Sequence, residues 1–162
     1  MSTLGRGPRL IIVCGLPGAG KTTLAKKLER ALGAVRLCPD EWMEQLGIDL
    51  WDEPRRAKIE ALQWQLVQQL LQLRQTLVIE WGTWCRSDRD TLRKAARSLG
   101  AAVELQYVFA PVEVLFERIQ RRGTEDPPIR LMQLQHGPAH STNLQQRKWP
   151  YTTALPRRTI TD

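Results

Sequence analysis

A glycine-rich segment near the start of the chain has the residue types of a phosphate-binding loop. Residues 15–22 read Gly-Leu-Pro-Gly-Ala-Gly-Lys-Thr and fit the pattern G-x-x-x-x-G-K-[ST]. Glycines permit a tight turn in which several backbone N–H groups point at phosphate oxygens. Lys21 adds a positive charge for the β- and γ-phosphates, and the Thr22 hydroxyl can complete the coordination shell of Mg²⁺. The segment predicts ATP and Mg²⁺ as ligands, with the nucleotide bound by Gly15, Pro17, Gly18, Ala19, Gly20, Lys21, Thr22 and Thr23.

A second candidate ligand for the metal is Glu80, which directly follows the apolar run 76–79. An acid at the end of such a strand has the position of a Walker B carboxylate, which holds Mg²⁺, usually through water, or binds substrate. The alternative interpretation is an exposed acid at a strand end. Trp81 and Trp84 follow it, either as walls of a substrate pocket at the carboxyl edge of the sheet or packed against the next helix.

A parallel sheet with crossover helices would bring these residues together. Apolar runs predict buried strands at 10–14, 34–38, 76–79 and 103–109. Helical spacing and end signals predict helices at 22–32, 40–46, 54–73, 87–99 and 111–122. The apolar stripe of the longest helix is predicted to be Ile59, Leu62, Leu66, Leu70 and Leu73. The alternation of strands and helices predicts an α/β fold, a three-layer doubly wound parallel sheet of the P-loop NTPase type.

Length and composition fit one compact α/β domain and exclude several other classes. The chain has 162 residues, of which 42% are hydrophobic and 25% are charged, with a net charge of +7. The positive charge suits an anionic partner, for which a nucleotide phosphate is enough. No Lys/Arg tract or aromatic–basic repeat argues for nucleic acid, so that partner is a secondary possibility. Three widely separated cysteines predict reduced thiols, and the absence of a signal peptide or membrane-length apolar run predicts a cytoplasmic protein with no membrane partner.

The glycine-rich loop, the Pro-Asp-Glu segment after the second strand and the acid after the third strand resemble the small P-loop kinases. That group includes chloramphenicol phosphotransferase, the zeta toxins and the kinase domain of polynucleotide kinase. Residues 77–84, Leu-Val-Ile-Glu-Trp-Gly-Thr-Trp, resemble a bacterial branch usually labelled AAA family ATPase or predicted kinase. The resemblance covers roughly residues 9–128. It implies transfer of the γ-phosphoryl group of ATP to a hydroxyl of a small molecule.

The resemblance also implies roles for individual side chains. Asp40 stands where these kinases place the carboxylate that accepts the proton of the substrate hydroxyl, although it could instead cap the helix that starts at Glu41. Glu41 is the weaker alternative base. Arg118, Arg121 and Arg122 lie on the last predicted helix, where the kinases carry arginines that stabilise the transferring phosphoryl group. Arg118 and Arg122, four apart, share a face, and the alternative interpretation of the cluster is a solvated helix end. Lys21, Asp40, Arg118 and Arg122 are therefore the predicted catalytic residues.

The end of the chain departs from the resemblance. We predict a kinase-like nucleotide-binding domain over residues 1–128 and an irregular, basic, proline-rich tail over 129–162 that could act as a lid enclosing the base. In the kinases resembled, an acidic helical segment usually follows, so this tail suggests a divergent or frame-shifted terminus. Two other functions stay open: an NTP-binding ATPase or switch without a small-molecule acceptor, and a polynucleotide or nucleoside kinase. The sequence indicates no oligomeric state.

Overall fold

The computed structural model describes residues 7–83 and 86–122. Within these ranges a four-stranded, fully parallel sheet has the strand order β2-β3-β1-β4. The elements are β1 Arg9–Cys14, α1 Lys21–Leu32, β2 Val35–Leu37, α2 Pro39–Gln45, α3 Glu53–Gln72, β3 Thr76–Ile79, α4 Arg86–Ser98, β4 Ala102–Tyr107 and α5 Val112–Arg122. The predicted doubly wound α/β fold is confirmed.

Helices cover both faces of the sheet and make three layers. Side chains of β1 alternate between the two faces, because successive residues of a strand point in opposite directions. Leu10 and Ile12 pack on the side of α3 and α4, whereas Ile11 and Val13 pack on the side of α1. All four side chains are buried, which explains why this strand is a continuous apolar run rather than an alternating one.

The first helix begins and ends at glycines. Gly20 and Gly33 flank α1 in the left-handed region of backbone space, with φ of 102° and 60° respectively. Glycine adopts this conformation without the steric cost that a β-carbon brings. Gly33 therefore ends the helix where the sequence predicted it, and the start of the helix lies directly after the glycine-rich loop.

The predicted apolar stripe of α3 is wrong by about one residue around the helix. Leu62 and Leu73 are exposed, and Leu66 and Leu70 only flank the core. The buried face consists of Ile59, Glu60, Gln63, Trp64, Val67 and Leu71. The interior of this helix contains two polar side chains, so the leucine spacing follows a line beside the buried face.

The predicted ends of the elements agree with the observed ones to within two residues, as is usual for element boundaries. The predicted tail, residues 129–162, and Trp84 lie outside the described residues, and the division at residue 128 stays a prediction. In the ranges that the structure describes, no helix combines the length and apolar character that a membrane crossing requires.

Candidate functional site

The glycine-rich loop joins β1 to α1, and two of its glycines are required by close backbone contacts. Gly15 has φ of 152°, and a β-carbon on it would lie 2.4 Å from the carbonyl oxygen of Val108. Gly18 has φ of 77°, and a β-carbon there would lie 3.1 Å from the carbonyl oxygen of Leu115. The loop is therefore pressed between the end of β4 and the helix α5.

The loop ends on the N-terminus of α1, which carries a partial positive charge from the helix dipole. No side chain among the described residues caps this terminus, because Gly20 occupies the N-cap position. Lys21 donates from Nζ to the carbonyl oxygens of Gly15 and Leu16, at 2.9 and 3.1 Å. An amine with these partners is already positioned over the loop, where a bound phosphate would compete with the two carbonyls for it.

A cavity of about 470 Å³ opens beside the loop. It is lined by Gly18, Ala19, Gly20, Thr23, Leu24, Lys27 and Arg118. Arg118 reaches it from α5 and donates from Nη1 to the carbonyl oxygen of Gly18 at 3.2 Å. The structure thus places Arg118 against the loop, and its role on the transferring phosphoryl group stays a prediction. Arg122 is the last residue of α5, and its side chain lies outside the described part.

Lys27 was not among the predicted site residues. It lies four residues after Thr23 on α1, so the two side chains share one face of the helix, and that spacing could have identified it. Leu24 also lines the cavity. The cavity therefore has an apolar patch at Leu24 and two cations, Lys27 and Arg118, next to the phosphate-binding backbone.

Asp40 lies in the first turn of α2 rather than at its N-cap. The N-cap position belongs to Cys38, so the alternative in which Asp40 caps the helix does not describe its place. Its side chain is 55% exposed, and Oδ1 lies 2.6 Å from Nη1 of Arg56. An acid in the first turn is also favoured by the helix dipole. Asp40 is thus an accessible carboxylate held on one side by an arginine of α3.

Glu80 is buried and bonded to Arg36, a partner that sequence analysis did not identify. Arg36 is the middle residue of β2, and its guanidinium donates to the carboxylates of Glu80, Glu41 and Glu29. It therefore joins α1, α2 and the end of β3. Burial alone would lower the pKa of Arg36, but its bonds to Glu41 and the charge of Glu80 outweigh that effect and raise the pKa. Glu80 is accordingly not the exposed acid of the alternative interpretation.

Three possible metal-ligand atoms, on Cys38, Glu41 and Glu80, lie within 4.8 Å of one another. The Arg36 guanidinium contacts both carboxylates and so already supplies the positive charge. Burial and the charge of Glu80 raise the pKa of the Cys38 thiol to about 12, which keeps it protonated and a poor metal ligand. The cluster is best described as an ion-pair network.

Two polar residues of α3 lie inside the protein near this edge of the sheet. Glu60 is 5% exposed, and its pKa is raised to about 7 by burial, against the opposing charge of Arg56. Gln63, one turn later, accepts a hydrogen bond of 2.9 Å from Nε1 of Trp81. Trp81 is buried and makes an edge contact with Trp64. Trp81 therefore packs in the core, and the pocket-wall interpretation does not describe it.

The end of β3 and the start of α4 contribute one more cation. Arg89 donates from Nη1 to the carbonyl oxygen of Thr83 at 3.0 Å. Its charge and that of Lys21 lower the pKa of the Cys14 thiol, although burial outweighs them and leaves that pKa raised. Arg89 thus lies near the end of β1, on the same edge as the loop. Cys14 and Cys38 are buried free thiols, as predicted.

The sheet order places the loop and the exposed acid on one edge. The strand β3 lies between β1, which leads to the loop, and β2, which leads to Asp40. Parallel strands are about 4.8 Å apart, so the two strand ends are separated by roughly 10 Å. Ligands of open α/β sheets bind at this carboxyl edge. A nucleotide on the loop and a second substrate at Asp40 could therefore face each other.

Comparison with known proteins adds a family and several relatives. A protein-family profile described as "AAA domain" matches residues 10–141. The chain is 30% identical over 144 residues to a gluconokinase of Arabidopsis thaliana, covering 78% of this chain and 75% of that protein. A proposed kinase from Chloroflexus aurantiacus J-10-fl superimposes with a TM-score of 0.64 at 27% identity, over 76% of this chain and 70% of the other. A chain of the Pnkp1/Rnl/Hen1 RNA repair complex superimposes with a TM-score of 0.70 at 24% identity, over 89% of this chain and 46% of the other.

Proposed function

This chain belongs to the AAA domain family, and we propose that it phosphorylates a hydroxyl group of a small polyhydroxy acid such as gluconate, with Asp40 as the general base. The broader part of the prediction is confirmed: the chain is a small P-loop kinase that acts on a small-molecule hydroxyl with ATP. The identity of the acceptor is the part that we propose. Gluconate comes first because the relative with 30% identity is a gluconokinase.

One observation carries the proposed chemistry: the phosphate-binding loop and an exposed carboxylate share one sheet edge, one strand apart. A general base must come within hydrogen-bond reach of the hydroxyl that it deprotonates. Asp40 is accessible to such a hydroxyl because its side chain is 55% exposed. Glu41 is the weaker candidate, since Arg36 and Lys26 both engage its carboxylate. These cations outweigh burial and lower its pKa, which makes it less basic.

The proposed roles follow from the position of each group. Lys21 would exchange the carbonyl oxygens of Gly15 and Leu16 for β- and γ-phosphate oxygens, while the loop amides and the α1 terminus hold the same phosphates. The acceptor O–H bond breaks as its proton passes to Asp40. The hydroxyl oxygen bonds to the γ-phosphorus, and the bond to the β,γ-bridging oxygen breaks to release ADP. Arg118, and with it Arg122 from the end of α5, would balance charge on the transferring group.

The residues present fit Mg²⁺ in part. Thr22 is exposed in the first turn of α1, where its hydroxyl can act as a ligand. Because Arg36 already bonds the carboxylate of Glu80, we propose that Glu80 would help to hold Mg²⁺ through water, which this ion usually retains in proteins. The bound ion would neutralise charge on the β- and γ-phosphates.

We propose that the cavity beside the loop receives the rest of the nucleotide. Its volume of about 470 Å³ lies within the usual range for small-ligand sites. Arg118 lines this cavity while bonded to the loop, so one side chain contacts both parts of the site. Residues 1–128 would form the nucleotide-binding domain, with 129–162 as a segment that encloses the base.

The proposal is tested by transfer of label from γ-labelled ATP to D-gluconate, D-glucitol, a 5′-hydroxyl oligonucleotide and water. We expect phosphogluconate as the main product of the unaltered protein. Label on the oligonucleotide alone would indicate a polynucleotide kinase, and release of phosphate alone would indicate an ATPase or switch. Transfer to glucitol but not to gluconate would contradict the acid as the acceptor.

Substitution of the base separates chemistry from binding. Asp40→Asn should lower kcat by about 10²–10⁴-fold, the usual contribution of a general base, and leave the Kd of ATP nearly unchanged. Lys21→Ala should weaken ATP binding itself. Glu44→Gln, on the exposed face of the same helix α2, is the control and should behave as the unaltered protein. Full turnover by Asp40→Asn would exclude Asp40 as the base.

A further inference from the structure

The ion pair between Asp40 and Arg56 joins an accessible carboxylate to a largely buried guanidinium. The Asp40 side chain is 55% exposed, and that of Arg56 is 16% exposed. Exposed ion pairs are usually weak, because both long side chains must be ordered and water screens their charges. Here the arginine side chain is already ordered by another contact, so forming the ion pair costs less conformational entropy.

The Arg56 guanidinium is also held by a group other than Asp40. Its Nη2 donates to the carbonyl oxygen of Leu50 at 3.0 Å. The backbone of Arg56 lies in the first turns of α3, where its N–H donates to the carbonyl oxygen of Asp52 at 2.8 Å. The bond to Leu50 orders the guanidinium independently of Asp40.

We propose that Arg56 is a positioning residue that binds one oxygen of the Asp40 carboxylate and thereby presents the other to the acceptor hydroxyl. Nη1 of Arg56 lies against Oδ1 of Asp40, and no hydrogen bond among the described residues goes to Oδ2. Without this contact the carboxylate could rotate about its side-chain bonds, and the proton acceptor would lose its fixed direction. The inference rests on the proposed role of Asp40 as the base.

Arg56 could instead serve only to fasten the connection between α2 and α3, through its bond to Leu50. Arg55 offers a matched control for this alternative. It is the preceding residue of the same helical turn, its side chain is 63% exposed, and it pairs with Asp52 at 3.3 Å. A substitution at position 55 changes the charge of the same turn without touching Asp40.

The kinetic test compares Arg56→Gln, Arg56→Lys and Arg55→Gln, with ATP and D-gluconate as substrates. Misplacement of a catalytic group by about 1 Å can cost about 100-fold in rate, so we expect that loss in kcat for Arg56→Gln with the Kd of ATP unchanged. Arg56→Lys keeps the charge but not the fork that reaches Asp40 and Leu50 together, and should lie between. Arg55→Gln should match the unaltered protein. Equal kcat for Arg56→Gln and Arg55→Gln would overturn the inference.

A second measurement does not need an acceptor. In protein labelled with ¹⁵N-arginine, Asp40→Asn should speed hydrogen exchange of the Arg56 guanidinium N–H groups by about fivefold, as expected when an ion pair is lost. The Arg55 signals should not change. If no phosphorylated acceptor is found but this shift occurs, the proposed acceptor fails and the positioning contact stands. If exchange at Arg56 is insensitive to Asp40, the inference fails whatever the kinase does.

Discussion

Single residues at this sheet edge show how neighbours decide the behaviour of a carboxylate. Glu41 lies beside Arg36 and Lys26, whose bonds outweigh burial and lower its pKa. Glu60 is more deeply buried, and there the cost of desolvation outweighs the nearby Arg56, so its pKa rises to about 7. Proteins usually tolerate a buried acid in this way by keeping it protonated. The stability of this protein should therefore depend on pH through Glu60.

Glu60→Gln should stabilise the protein at pH 8 and change little near pH 5. Below the ordinary value of 4.5, Glu60 is protonated in both states. As pH rises from 4.5 to about 7, the unfolded chain loses the proton while the folded chain keeps it, so stability falls and then levels off. At 1.36 kcal/mol per pKa unit, the full penalty above pH 7 is about 3 kcal/mol. Urea unfolding at both pH values measures it.

Glu44→Gln, at an exposed position of α2, is the control for that measurement and should give equal free energies of unfolding to the unaltered protein at both pH values. A gain for Glu60→Gln that is the same at pH 5 and pH 8 would show that Glu60 does not titrate in this range.

Helices, strands and turns could be predicted where neighbouring residues in the sequence determine the conformation. Contacts between different elements could be predicted less well. The loop and α1 are fixed by glycine conformation and by the helix start that the loop creates. Arg36 and Arg56 could not be assigned roles, because their partners lie on other elements: Arg36 meets Glu80 across the sheet, and Arg56 meets Asp40 between two helices. A charged arginine inside the predicted buried strand 34–38 was the available signal for Arg36.

The buried face of α3 could not be predicted from apolar spacing, because Glu60 and Gln63 belong to it. Leu71→Ala should therefore lower the free energy of unfolding by about 2–5 kcal/mol, as for a buried leucine that leaves a cavity. Leu62→Ala, at a 54% exposed position of the same helix, should change it by less than about 1 kcal/mol. Urea unfolding of the two variants measures this difference. Equal losses of unfolding free energy would show that the predicted leucine stripe is the packing face after all.

At the scale of the whole molecule, the phosphate-binding loop is in contact with α5, the last helix that the structure describes. α5 touches the loop twice, through the close approach of Leu115 to Gly18 and through the bond from Arg118 to the same residue. Its apolar side packs with the buried Ala19 of the loop. A ligand on the loop therefore lies next to a helix about a hundred residues away in sequence. Nucleotide binding should raise the free energy of unfolding of the protein.

ATP should stabilise the unaltered protein more than it stabilises Arg118→Ala. A ligand at one hundred times its Kd adds about 2.7 kcal/mol to the free energy of unfolding. Loss of a hydrogen bond to a charged group costs about 1.5–3 kcal/mol, so Arg118→Ala should weaken ATP binding by about tenfold or more and lose about half of this gain or more at the same concentration. Arg121→Ala removes an arginine of the same helix that is 79% exposed and paired with Glu117, and it should retain the full gain. Thermal unfolding with and without ATP and Mg²⁺ measures the difference, and an equal gain in the two variants would show that Arg118 bonds the loop without contacting the nucleotide.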